Sequence, residues 1–383
     1  MNQVEIIPVE DKKQLDTFVK IPWKIYKDNP YWVPPLISER KTFLNPKKNP
    51  FFSHATVKLF LAYKGKEPVG RIAAVIDRQY IRYYQEKVGY FGLFETLKDY
   101  SIAISLFNEV EKFLKGHGMK KILGPLNLST NHECGLLIEG FDYPPVVMMP
   151  YNPPYYKEYI EKSGFKKAQD LCSYYVDFNH VDERVFKRVE QKAARKNLTV
   201  RKIKINDPEE IKKIREVYND AWGKNWGFVP LTDEEFFYLA KELKKLVIPD
   251  LALVIEKDGK IVGFNLSIWD INPILKKLNG RLFPFGIFKW LYYLRKLTFV
   301  RGITLGISEQ YRYILGPLLF LKLLEISKQK GFLRWEIGWV LENNVIVQNI
   351  FKKINAKLYK NIKSLSKNYN LNIPQNLGVN LYL

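Results

Sequence analysis

A mixed α/β fold written twice in tandem is what this sequence predicts, on three observations. A strand–turn–strand segment recurs at a fixed offset, the elements after each copy follow one order, and 383 residues suit two domains of ordinary size. The recurring segments are LFLAYKGKEPVGRIAAVID (59–77) and LALVIEKDGKIVGFNLSIWD (251–270). Val69, Gly70 and Asp77 of the first match Val262, Gly263 and Asp270 of the second at one constant spacing. Alternating and β-branched residues around a Gly-containing turn read as a β-hairpin in each.

The other elements follow in order. Each half opens with a strand and helices, VEIIPVEDKKQLDTFVKIPWKIYK (4–27) and LTVRKIKINDPEEIKKIREVYNDAW (198–222). After its hairpin the first half continues with strand VGYFGLFE, helix SIAISLFNEVEKFLKGHG and strand MKKILGPLN. The second continues with strand GITLGIS, helix LGPLLFLKLLEISKQKG and strand FLRWEIGWV. Both helices carry apolar residues three and four apart and stop at Gly, as a C-cap does. A further helix and strand close each half: PPYYKEYIEKSGF with AQDLCSYYVDF, and NNVIVQNIFKKINA with KLYKNIKSLSK. The order is β-α-α-β-β-β-α-β-α-β both times. The charged segment NHVDERVFKRVEQKAARKN marks the boundary, giving domains 1–178 and 179–383.

Composition narrows the function classes. With 61 Lys and Arg against 40 Asp and Glu, the formal charge is +21, which attracts polyanions: nucleic acid, anionic lipid, an acidic carrier protein or a phosphorylated cofactor. No zinc-finger, RNP-type or helix-turn-helix pattern accompanies the charge, so nucleic acid is not the expected partner. Cys134 and Cys172 stand outside any metal-ligand spacing, as do His54, His117, His132 and His180, so no metal is expected. The opening MNQVEIIPVEDKKQ lacks the apolar core of a signal peptide. No uncharged apolar run approaches the roughly 18–20 residues of a membrane span. These features predict a cytoplasmic protein, soluble or peripheral at the inner face of the membrane.

The duplicated element order resembles the GNAT acyltransferase fold in tandem. In that family a mixed sheet splays between its fourth and fifth strands, and an acyl thioester lies in the gap. The resemblance implies two acyl-CoA N-acyltransferase-like domains and an acyl-CoA or acyl-carrier-protein thioester as substrate. A pyrophosphate needs backbone N–H groups at a helix N-terminus. The family supplies them in an Arg/Gln-x-x-Gly-x-Gly/Ala turn. Aligned on EQYRYILGPLLF, the resemblance puts Arg312, Ile314, Leu315 and Gly316 around the phosphate, with Asn344 nearby; one of two glycines survives. The alternative for Gly316-Pro317 is a plain helix start, and for Asn343 and Asn344 a helix cap. The first half has no glycine near the corresponding helix start, so no pyrophosphate is expected there. The family's Tyr-x-x-x-Gly-Phe acid is replaced by Phe351 in the second half, which leaves Tyr359 as the substitute.

Amine acylation also needs a base. Carboxylates at strand ends are the candidates: Glu309, Glu342 and, in the first half, Glu133. Asn127, Asn131, His132 and Glu133 stand in the polar cluster GPLNLSTNHECGLLIEGFDYPP, which suits a binding site on a rigid scaffold, or else a surface loop with self-satisfied turns. Trp222 and Trp226 in NDAWGKNWGFVPLTDEEF, ahead of a Thr232 helix cap, are candidates to hold a chain; core packing is the alternative.

The connection before the fourth strand of the second half is lengthened to INPILKKLNGRLFPFGIFKWLYYLRKLTFVR, an insertion at 271–302. Between Asp270 and Glu309 it holds no acid, but Phe288, Trp290 and their apolar neighbours alternate with Lys and Arg. That combination fits an interfacial amphipathic helix, the alternative being a core helix that buries these aromatics against the domain; we read it as lining an acyl-chain tunnel and touching an anionic membrane surface. The segments GPLNLSTNHECGLLIEGFD, MMPYNPPYY and NWGFVPLT are similar to a group of bacterial tandem acyltransferase-like proteins related to bacterial ceramide synthases. The resemblance implies N-acyl transfer to a primary amine of the sphingoid-base, lipid-like type. A non-catalytic protein that kept the fold is the alternative, with nucleic-acid binding behind it.

Overall fold

The structure is a computed structural model that describes residues 3–369. The first half contains β1 (Val4–Pro8), α1 (Lys12–Ile25), α2 (Ile37–Phe43), β2 (Ala55–Lys64), β3 (Glu67–Asp77) and α3 (Arg78–Tyr84). It continues through β4 (Val88–Thr96), α4 (Tyr100–Gly116), β5 (Lys121–Gly124), β6 (Leu136–Glu139), α5 (Tyr155–Lys162) and β7 (Lys166–Asp177). The second half contains α6 (Lys187–Ala194), β8 (Leu198–Lys202), α7 (Pro208–Trp222), α8 (Asp233–Lys244), β9 (Leu253–Lys257) and β10 (Lys260–Trp269). It ends with α9 (Asn272–Leu278), α10 (Gly286–Leu294), β11 (Phe299–Ile307), α11 (Arg312–Lys330), β12 (Arg334–Leu341), α12 (Val345–Lys353) and β13 (Lys357–Asn368).

All the described strands join one mixed sheet in the order β1-β2-β3-β4-β5-β13-β7-β12-β11-β10-β9-β8, with β6 paired to β13. The last strands are exchanged. β13, from the end of the chain, lies antiparallel between β5 and β7, while β7 lies against β12. Each half therefore completes its edge with the other half's final strand.

Two parallel pairs open into gaps. β4 and β5 pair only from Val88↔Lys121 to Tyr90↔Leu123, after which β4 runs on to Thr96 paired with β3 alone. β11 and β12 pair from Phe299↔Arg334 to Gly302↔Ile337 and then diverge. The helices pack where their apolar faces demand. α4 buries Ile102, Ala103, Leu106, Phe107, Val110 and Leu114 on the sheet, and Asp99 accepts from Ser101 N at 2.9 Å to cap it. α8 starts with a Thr232–Glu235 capping box, as the sequence suggests, and α11 ends at Gly331 with φ +77°. RQYIRYYQEK forms α3, and the Asp77 carboxylate caps it by accepting from the N–H groups of Gln79 and Tyr80.

The first gap depends on Gly92. A Cβ there would stand 1.8 Å from the Leu126 carbonyl oxygen, because the loop after β5 lies directly on β4. That approach lets Asn127 Oδ1 accept from Leu93 N at 2.8 Å. Gly92→Ala is expected to cost about 1–3 kcal/mol, as overpacking does, whereas Gly116→Ala, with open space around it, leaves the thermal midpoint unchanged or raised. Parallel thermal melts of the two variants check this.

Candidate active site

Two cavities meet inside the molecule. The first, about 230 Å³, lies in the β11/β12 gap and is almost wholly apolar. Ile303 and Thr304 of β11, Trp339 and Leu341 of β12, Trp222 of α7, Trp226, Phe228 and the inner face of α8 form its walls. The second, about 810 Å³, spreads from the β4/β5 gap and is more polar. Arg71, Glu95, Asn127 and Glu133 face it, and its far wall is made by α9, Ile287 and Trp290. Asn131, His132, Met148, Leu231, Leu239 and Leu243 line both.

The seam is built from the two polar segments that stand out in the sequence, which grip each other. Thr130 Oγ1 donates to the Gly227 carbonyl at 2.5 Å, and Asn131 Nδ2 to the Val229 carbonyl at 3.0 Å. His132 Nδ1 lies 2.9 Å from Ser129 Oγ. Burial pushes its imidazolium down to about 4, so His132 is neutral at the seam. Asn127 Nδ2 donates to Glu133 Oε2 at 2.7 Å, with Arg40 3.8 Å from the other oxygen.

Glu95, next to the last residue of β4, lies in the larger cavity. Burial pushes its carboxyl up to about 7 against the pull of Arg71, whose guanidinium lies 3.8 Å away. Tyr26 and Tyr156 hydroxyls donate to its Oε2 at 2.9 and 2.8 Å. A carboxyl that titrates near neutrality on a cavity wall is equipped for proton transfer.

Ion pairs join the halves around this space. His54 lies 2.9 Å from Asp77 and 3.1 Å from Glu235 at the start of α8. Burial disfavours its charge, yet these two carboxylates outweigh it and raise the imidazolium to about 9. Where the strands are exchanged, Arg301 of β11 meets Glu336 of β12 at 2.5 Å, and Ser173 of β7 also donates to Glu336. Burial lowers the neighbouring Lys360 ammonium of β13 to about 8.

Among the candidates from sequence, the structure brings Asn127, Asn131, His132, Glu133, Trp222, Trp226 and Trp290 to the cavity walls. Phe288 faces solvent. Glu309 pairs with Lys224 at 2.8 Å on the surface, and Glu342 with Lys167 at 2.6 Å; neither lines a cavity. Tyr359 lines neither cavity; the residue is half-buried, and burial of its hydroxyl raises it far above the usual range. Leu315 is fully buried, and a Cβ on Gly316 would make ordinary contacts with Ile350 and Ile307. Ile314 packs half-buried on the same core. Arg312 donates to the Ala221 carbonyl at 3.1 Å, beside Trp222, and Asn344 caps α12. The α11 N-terminus has no side-chain cap, whereas Asp99 caps that of α4.

Sequence reasoning missed Glu95, Arg71, Arg301 and Glu336. The available signal was a lone charge in, or at the end of, a strand that is otherwise buried.

With this geometry in hand, comparison with known proteins is decisive. No family model matches the chain. Bacterial ceramide synthase of Caulobacter vibrioides is 33% identical over 377 residues, covering 95% of this chain and 97% of its own. Protein YghO of Escherichia coli is 35% identical over 366 residues, covering 93% of each. The chain belongs to the bacterial ceramide synthase family. Solved structures agree on the fold: a tandem GNAT protein from the clavulanic acid biosynthesis pathway is superposable with a TM-score of 0.58 at 11% identity, covering 96% and 98% of the two chains. A GCN5-related N-acetyltransferase from Sphaerobacter thermophilus gives 0.54 at 10% identity, with 96% of each covered. This member of the family therefore has the tandem GNAT fold that its repeated pattern predicts. No described helix is long and apolar enough to cross a membrane, and no described cluster of His, Cys, Asp and Glu has a metal-binding arrangement.

Two stability effects follow from the buried charges. Replacing Glu336 by Gln leaves Arg301 uncompensated and is expected to cost about 3–5 kcal/mol in denaturant unfolding, with much of the loss recovered in an Arg301→Met/Glu336→Leu double variant. Glu95 retains its proton in the fold up to about 7, above the unfolded carboxyl value of 4.5, so its contribution declines as pH rises between those values. The difference corresponds to about 3 kcal/mol. Stability profiles against pH are expected to flatten in this window for Glu95→Gln.

Proposed function

We propose that the protein is an N-acyltransferase that moves a fatty acyl group from acyl-CoA, or from an acyl-carrier-protein thioester, to a lipid-like primary amine, at the inner face of the membrane. The observation that carries this reading is the meeting of an apolar cavity with a carboxylate-lined one at Asn131 and His132. Kinship over nearly the whole chain with a protein named bacterial ceramide synthase supports it. Each half, 1–178 and 179–383, serves as one GNAT-like unit whose last strand is lent to the other.

The donor lies in the second half. The start of α11 has no side-chain cap and begins at Arg312, so its positive dipole end faces a phosphate without a competing carboxylate cap, while Asp99 occupies the equivalent place on α4. The acyl chain fills the slot against Trp222, Trp226 and Trp339. The amine enters the larger cavity as an ammonium drawn to Glu95 and Glu133, and Glu95 takes its proton. The freed nitrogen attacks the thioester carbonyl, the C–N bond forms, the C–S bond breaks, the second proton that the nitrogen sheds on becoming an amide passes through water to the thiolate, and Glu95 returns the first to solvent. Asn131 and neutral His132 stand where the carbonyl would pass and hold it by polar contact.

Thiol release from long-chain acyl-CoA in the presence of a long-chain amine tests this. Glu95→Gln and Glu133→Gln are expected to lower kcat by on the order of 10²–10⁴. In the wild type kcat/KM should climb as pH rises through about 7, where Glu95 becomes a carboxylate. Absence of thiol release, together with no acyl-CoA or acyl carrier thioester shifting the melting temperature, would leave the non-catalytic reading in place.

A further inference from the structure

The insertion between β10 and β11 has a fixed root and an unpartnered tip. Its root is bolted to the first half. Asn272 Nδ2 donates to the Pro145 carbonyl at 2.7 Å, Asp270 accepts from Val147 N at 3.1 Å, and Trp23 Nε1 donates to Asn279 Oδ1 at 2.8 Å. Gly280 packs on Trp23 and Ile37. The tip is different: no residue of α10 is buried, and Phe285 and Phe288 are 75% and 68% exposed, with Phe283, Leu291 and Tyr292 exposed around them. Residues three and four apart share a helix face. Ile287 and Trp290 accordingly look into the larger cavity, while Phe288, Leu291 and Tyr292 look away from it.

Bare aromatic and aliphatic side chains of this size are costly to leave in water, and a patch of them marks a docking surface. The charge around the patch selects the partner. Lys276, Lys277, Arg281, Lys289, Arg295 and Lys296 flank it along the chain and are exposed, and no acid occurs from 271 to 308. An apolar face flanked by exposed cations complements an anionic bilayer, whose interface accepts rings and whose headgroups accept Lys and Arg.

We propose that α10 is a membrane-docking helix that seats the mouth of the larger cavity on an anionic lipid surface, so that the amine acceptor arrives from the bilayer while the thioester donor reaches the β11/β12 gap separately. This rests on the acyltransferase reading for the identities of donor and acceptor; the docking itself does not. The helix that touches lipid with one face walls only the carboxylate-lined cavity with the other, and none of its residues lines the apolar slot. That placement assigns the bilayer route to the amine.

The experiment compares the full chain with a Phe285→Ser/Phe288→Ser/Leu291→Ser variant, all three positions being exposed. Co-sedimentation with phosphatidylglycerol-containing vesicles should fall roughly tenfold or more in the variant, and wild-type binding to pure phosphatidylcholine vesicles should be weaker. The kcat/KM for a long-chain amine embedded in those vesicles should drop in step, while turnover of a water-soluble short amine and the KM for acyl-CoA stay unchanged. Equal vesicle binding by the two proteins would overturn the proposal. So would a rise in acyl-CoA KM matching the loss on amine, or a change in oligomeric state showing that the patch docks a second copy. Loss of binding to an acidic carrier protein with vesicle binding intact would overturn it as well. Co-sedimentation needs no turnover, so docking is decided even if acyl transfer is never observed.

Discussion

The position of β13 between β5 and β7 is the constraint on which the rest of the structure depends. A sheet edge left unpaired is costly and prone to wrong pairing. Here each half covers its edge with a strand grown by the other, so neither sheet is complete alone. The junction is also where buried charge is concentrated. Ser173, Glu336, Arg301 and Lys360 come from β7, β12, β11 and β13, and the first three are directly hydrogen-bonded. A buried ion pair adds little net stability by itself but penalises any arrangement that separates its partners. The cluster therefore sets the register of the exchange more than it strengthens the fold.

Fixing the junction fixes the distance between the two gaps. Both splayed pairs open on either side of the exchanged strands, and α8 closes the space between them, held to the first half by the His54–Asp77–Glu235 group. In the proposed reaction the cavities divide the chemistry by solvation. A chain gains from the dry slot in proportion to the apolar surface it buries, while an ammonium is stabilised among carboxylates. Burial then raises Glu95 to a value where it can give up and take a proton near neutral pH. A single mixed cavity would compromise one requirement for the other.

Much of this was legible in the residues, for identifiable reasons. The repeat shows because hairpin geometry demands Val-Gly at the same place twice, and the helices show because burial enforces their three- and four-residue spacing. The exchange of β7 and β13 does not show, since an alternating strand reads the same whichever neighbour it pairs with. NLSTNHE and NWGFVPLT each stand out as polar or aromatic punctuation, but their mutual grip through Thr130 and Asn131 exists only in three dimensions. Glu95 hides at the end of an apolar strand, where one acid looks like a strand terminus. Gly316 reads as part of a phosphate turn, yet its helix packs it on Ile307 and Ile350; what marks the α11 start is the lack of a side-chain cap, a feature no single residue announces.

The proposed reaction depends on the seam between the cavities. A structure of the full protein with a non-hydrolysable long-chain acyl-CoA analogue and a long-chain amine measures it directly. The account places the chain between β11 and β12 against Trp222, Trp226 and Trp339, with the amine nitrogen beside Glu95 and the thioester mimic at Asn131 and His132. An analogue seated in the β4/β5 gap, or an amine found away from that meeting point, would contradict it.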